Sequence, residues 1–407
     1  YGSLSQDMDE FTFKNQDLLV LVAAGNDGQR GGSFGSIGPP ATAKNVLAVG
    51  ASQNSPASFT QLDAVCSLDR DSCGKNLAKF SSNGPTLDGR IKPEVVAPGE
   101  IITSASSSAT NVEACSVVGL VGTSMATPIT AGNAALVRQY FADGFYPTGS
   151  ANATNAFSPM GATVKAVLIN GATVLKGLYG STSLASEVAP SRHQGWGRIQ
   201  LDKNLVFAST EPSETNLFVY DSVKEKDSFT QSGQERNASF AVEAGDVSLR
   251  FTLVWFDKEA AVQSASQLIN DLDLVVKSPS GKTFFPNGRS SKDSTNVVEH
   301  IEIDANAVES GSYTAIISSA RIISAQPFSF VVSGSVDGAD VVREDESLQI
   351  GEIAAIAIGA LVFVVAAVIL VQRWLGGEVE NPVGQLFGGG SQQDSSLPVA
   401  FVLDNKA

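Results

Sequence analysis

The segment Gly122-Thr123-Ser124-Met125-Ala126-Thr127-Pro128 places a hydroxyl nucleophile among small residues. A serine hydroxyl attacks poorly unless it is held in place and its proton is taken. Pro128 and the run behind it predict a helix from Ser124 to Phe141. The free amides and dipole at such a start favour developing negative charge. Gly122 has no side chain and would let a substrate backbone approach. A second segment, Ala23-Ala24-Gly25-Asn26, ends an apolar run in a carboxamide. At the carboxyl edge of a parallel strand, Asn26 could donate to the oxyanion of a tetrahedral intermediate beside the Ser124 amide. Each segment alone also has a plainer meaning. Ser124 could cap an ordinary helix, and Asn26-Asp27-Gly28 could be a turn.

Elements able to hold these residues follow from the apolar runs. Leu18 to Ala24 and Val46 to Ala51 are short and unbroken, as buried parallel strands are. Ser5 to Asn15 reads as a helix with Asp7 and Asp9 near its start, where the dipole favours acids. Pro159 to Leu175 reads as another. Alternating strands and helices predict a doubly wound α/β domain over residues 1–208. From Leu201 the rhythm changes to short β-branched and aromatic segments such as VSLRFTLVWFD, LDLVVKSPSGKTFF and FSFVVSGSV. These predict a β-sandwich or jelly roll over 209–337, with a hairpin turn at Ser278-Pro279-Ser280-Gly281. An acidic linker over 338–352 follows. Residues 353–371 are wholly apolar and would span roughly 28 Å as a helix, enough to cross a bilayer. Residues 372–407 read as a flexible tail, and Arg373 favours a cytoplasmic side for it.

Together the two chemical segments resemble the subtilisin-like serine proteases. VLAVGAS (46–52), FSSNGP (80–85), IKPEVVAPG (91–99) and GWGRIQLDKNLVF (195–207) are similar to that family's segments in the same order. The resemblance implies a serine endopeptidase with Ser124 as nucleophile and Asn26 in the oxyanion hole. It places Ala23, Ala24 and Gly25 on one wall of the substrate pocket, with Gly122 and Thr123 beside the nucleophile. Protein or peptide substrates are implied, and no cofactor for the chemistry. The family orders its triad Asp, His, Ser. Only 25 residues precede Asn26, none of them His, and both histidines, His193 and His300, follow Ser124. The Asp and His are therefore expected upstream, and residues 1–407 by themselves are expected to be inactive. An α/β-hydrolase esterase is disfavoured because Ala126 stands where its motif needs a second glycine. A catalytically inactive cell-surface binding module is the remaining rival.

A net charge of −15 without a basic cluster excludes nucleic-acid binding of the backbone-reading kind. Asn270-Asp271-Leu272-Asp273 resembles a motif in the C-terminal barrels of larger relatives, and Asp271 and Asp273 are candidate ligands for a structural calcium. A buried polar network accounts for them as well. Cys66 and Cys73 could close a short loop, leaving Cys115, or all three could be thiols in inserted loops. Asn152-Ala153-Thr154 and Asn237-Ala238-Ser239 are acceptor tripeptides for N-glycosylation. With the apolar run, they predict a single-pass type I membrane protein whose globular parts face outside or a lumen.

Overall fold

The computed structural model describes residues 1–28, 35–54, 70–106, 116–208 and 215–343. The chain divides into compact units Tyr1–Glu344 and Asp345–Ala407. The apolar run 353–371 and the tail lie outside the described residues. Among the described residues no helix is long and apolar enough to cross a membrane.

The N-terminal part is a mixed α/β fold on a parallel sheet. Strands β1 (Leu21–Ala23), β2 (Leu47–Ser52) and β3 (Val95–Pro98) pair side by side in that order. Every residue of β2 is buried, as expected for a central parallel strand covered on both faces. β1 is shorter than the apolar run that announced it and is half-buried. A hairpin of β4 (Ile102–Ser106) and β5 (Ser116–Leu120) leads into helix α2 (Thr123–Ala142). α2 packs across β1, β2 and β3, and its Ala126, Val137 and Phe141 are fully buried. Helix α3 (Gly161–Asn170) stops five residues before the sequence pattern predicts. Gly171 ends it, pressed so close to the Gln200 carbonyl that a side chain there would meet that oxygen at 2.5 Å. Beyond it the backbone pairs Thr173 with Arg198 instead.

Helix α1 (Ser3–Lys14) is turned inside out. Its buried residues are Ser5, Asp9 and Thr12, whereas Leu4 and Phe11 are exposed. Asp9 serves no first-turn role, contrary to the expectation from its position. It accepts hydrogen bonds from Tyr1 Oη, Lys44 N and Asn45 N, and faces Lys44 Nζ at 3.7 Å.

Two short strands follow, β6 (Leu178–Tyr179) and β7 (Thr182–Ser183). The β-rich part then contributes β8 (Asn216–Asp221), β9 (Glu235–Val242), β10 (Leu249–Val254), β11 (Asp271–Lys277), β12 (Thr283–Phe284), β13 (Val298–Ile303), β14 (Gly311–Arg321), β15 (Ser329–Gly334) and β16 (Val336–Arg343). They form antiparallel sheets ordered β13-β10-β15-β8 and β12-β11-β14-β9-β16. The sheets pack face to face through Phe240 of one against Phe251 and Phe330 of the other. Residues 338–343, expected in the linker, belong to β16, and 340–343 pair with β9.

The two parts share one core. α3 lies against β10 and β15, and the buried ammonium of Lys44 ties the junction. Lys165 Nζ donates to the carbonyls of Lys44, Asn45 and Val46 and to Glu94 Oε1. Lys44 Nζ donates to the carbonyls of Lys258 and Gln267 and pairs with Asp257 at 3.2 Å.

Candidate active site

Ser124 is exposed in the first turn of α2. No side chain caps this helix, and Gly122 occupies the cap position with φ +153°, which glycine alone tolerates readily. The turn is seated on Gly99, whose carbonyl accepts from Gly122 N at 2.8 Å. A side chain at Gly99 would meet the Gly122 carbonyl and Ala51 Cβ, each at 2.7 Å. The Pro-Gly end of β3 therefore fixes the height at which the nucleophile turn sits.

Asn26 follows β1 and is also exposed. Its Oδ1 accepts from Thr123 N at 2.9 Å and from Thr123 Oγ1 at 3.0 Å. Thr123 Oγ1 in turn accepts from Gly25 N at 3.2 Å. Two donors on Oδ1 fix which end of the carboxamide faces Thr123. A methyl group placed on Gly122 would lie 3.5 Å from Asn26 Nδ2, 3.6 Å from Ser124 N and 3.7 Å from Asn26 Oδ1. Asn26 Nδ2 and Ser124 N thus both lie near the space that a side chain at Gly122 would fill. Thr123, expected beside substrate, has a further part in the structure as the clamp on Asn26. The only sequence signal for that is a hydroxyl next to the nucleophile. Ala24 is buried and Ala23 half-buried, so Gly25 and Asn26 emerge from a packed strand end.

Residues 1–197 match the model of the subtilase family, Peptidase S8. The chain is 28% identical over 435 residues to the serine protease/ABC transporter B family protein tagD of Dictyostelium discoideum, covering 82% of this chain and 23% of that protein. It is 28% identical over 442 residues to tagB of the same organism, with the same shares covered. It is 37% identical over 130 residues to serine protease AprX of Bacillus subtilis (strain 168), covering 30% of this chain and 26% of that protein. The chain thus spans about a quarter of the length of these relatives.

Neither histidine of the chain bonds Ser124. In the N-terminal part His193 sits against Tyr179, its Nδ1 bonded to Glu187. In the β-rich part His300 is buried on β13 with Nδ1 2.9 Å from Thr252 Oγ1. Burial, with the Arg250 charge second, lowers its pKa to about 3. Asp271 and Asp273 are both buried on β11. Asp273 pairs with Lys292 Nζ at 3.0 Å. Asp271 Oδ1 and the neighbouring Glu299 Oε1 are buried without a hydrogen-bond partner. Burial, and then the charge of Asp273, push Asp271 up to about 6, and burial pushes Glu299 well up. Among the described residues no group of three or more His, Cys, Asp or Glu is arranged to hold a metal ion. Cys73 is buried and disulfide-bonded, its partner lying outside the described residues. Asn152 is exposed and accepts from Thr154 N and Oγ1, whereas Asn237 is half-buried within β9.

Proposed function

We propose that the chain is the nucleophile-bearing part of a serine endopeptidase. The observation that carries this is the convergence of Asn26 Nδ2 and Ser124 N on the space beside Gly122, next to an exposed Ser124. Ser124 Oγ attacks the peptide carbonyl carbon and gives its proton to a histidine supplied upstream, which an aspartate orients. The carbonyl oxygen becomes an oxyanion and accepts from Asn26 Nδ2 and Ser124 N–H. The C–N bond then breaks, the amine leaves with the proton, and water releases the acyl group from Ser124. Small residues at Ala23, Ala24 and Gly25 suit uncharged substrate side chains.

β1 pairs only with β2 among the described strands. Leu18, just before β1, and Leu136 of α2, which packs against β1, are exposed. The membrane anchor at 353–371, the type I orientation, and a glycan on Asn152 are part of the same proposal and rest on the sequence. Calcium at Asp271 and Asp273 rests on the sequence motif alone, and would raise the melting temperature over a chelated sample.

Labelling by a fluorophosphonate tests the reading. The full-length native protein should label at Ser124, the Ser124→Ala variant should not, and residues 1–407 alone should not. A native protein that never labels would instead be an inactive binding module.

A further inference from the structure

Ser82 is wholly buried and brackets Asn26 from behind. Its backbone N–H donates to the Gly25 carbonyl at 2.9 Å. Its Oγ accepts from Asp27 N at 3.1 Å. The residues on both sides of Asn26 are therefore tied to one residue, 55 positions away along the sequence. Gly25 holds φ +109°, and a side chain there would meet Ser82 Oγ at 2.9 Å. The hydroxyl thus fills the space against which the Gly25–Asp27 backbone turns. Ser82 is itself held in register, because Ser81 Oγ accepts from Ala51 N at 2.9 Å on β2, beside β1.

Thr123 fixes the rotation of the Asn26 carboxamide, but rotation alone does not place a donor. The Cα of Asn26 must also stand at the right distance from the α2 turn; Thr123 reaches that backbone only through its bond from Gly25 N, whereas Ser82 holds it on both sides of Asn26. We infer that Ser82 is a positioning residue for the oxyanion donor: it acts through Asn26 and touches neither substrate nor nucleophile. This rests on the endopeptidase reading above. A donor helps only where charge develops, so a loosened Asn26 weakens the transition state more than substrate binding.

The test is a double-mutant cycle in the full-length native protein with a peptide substrate. Ser82→Ala should lower kcat roughly tenfold, about the worth of one neutral hydrogen bond, with KM unchanged. In an Asn26→Ala background the same change should lower kcat no further. Thermal melting shows whether each variant is folded, and Ser82→Thr, which keeps the oxygen, should recover kcat if it melts like wild type. The inference is overturned if Ser82→Ala leaves kcat intact, or if it costs the same with and without Asn26, since that marks a general structural role. It also falls if the wild-type protein does not label at Ser124, a result that instead sinks the endopeptidase reading beneath it.

Discussion

Replacing Thr123 by Val keeps the β-branched shape of a fully buried side chain and removes one oxygen. That oxygen makes two bonds, accepting from Gly25 N at 3.2 Å and donating to Asn26 Oδ1 at 3.0 Å. The bond from Thr123 N to Asn26 Oδ1 at 2.9 Å survives. Asn26 therefore keeps one of its two anchors and its carboxamide gains freedom to rotate. Deleting Asn26 itself should cost about 3–4 kcal/mol of barrier. Losing half of its clamp should cost part of that, about 1–2 kcal/mol, or roughly fivefold to thirtyfold in kcat. The Gly25 amide, left without its acceptor, should lower folding stability by about 1–3 kcal/mol. The assay is peptide hydrolysis by the full-length native protein, read as kcat and KM separately, with the fluorophosphonate labelling rate and a melting curve beside it. Both the labelling rate and kcat should fall together while KM holds. Unchanged kcat in Thr123→Val, with a lowered melting point, would refute the idea that this hydroxyl orients the oxyanion donor.

Gly122→Ala places a methyl within 3.5 Å of Asn26 Nδ2 on a backbone at φ +153°; it should abolish most hydrolysis in the native protein while leaving the protein folded, as circular dichroism would report. His300 has its folded pKa lowered to about 3 against 6.5 unfolded, so below pH 6.5 the unfolded chain binds a proton that the folded chain refuses. Stability should therefore fall with acid by up to about 1.4 kcal/mol per pH unit from this group, and urea midpoints at pH 6.5 and 4.5 should differ more for wild type than for His300→Gln. Lys44→Met leaves Asp9 and Asp257 buried without their cation and should cost about 3–5 kcal/mol; a melting temperature within a degree of wild type would show that the junction does not need the charge.

Much of this protein is written locally. Unbroken apolar runs announce β1 and β2, because strands covered on both faces have no polar side to show. Gly122, Ser124 and Pro128 mark a helix start, and Asn26 marks a strand end, since both depend on neighbours in sequence. The alternating segments after Leu201 announce strands for the same reason. What the local pattern could not reveal depends on residues far apart in the chain. Nothing near Asn26 says that Thr123, 97 residues on, would take both bonds of its Oδ1, or that Ser82 would hold its backbone. Nothing in α1 says that its polar face turns inward, because Asp9 is buried only by virtue of Lys44 and Asn45. Nor does the sequence around Lys44 show that its ammonium would be buried at the junction between an α/β sheet and a β-sandwich. A side chain's type fixes which bonds it can make. Only the packing of distant segments excludes the water that would otherwise make those bonds, and so decides which of them are formed within the protein.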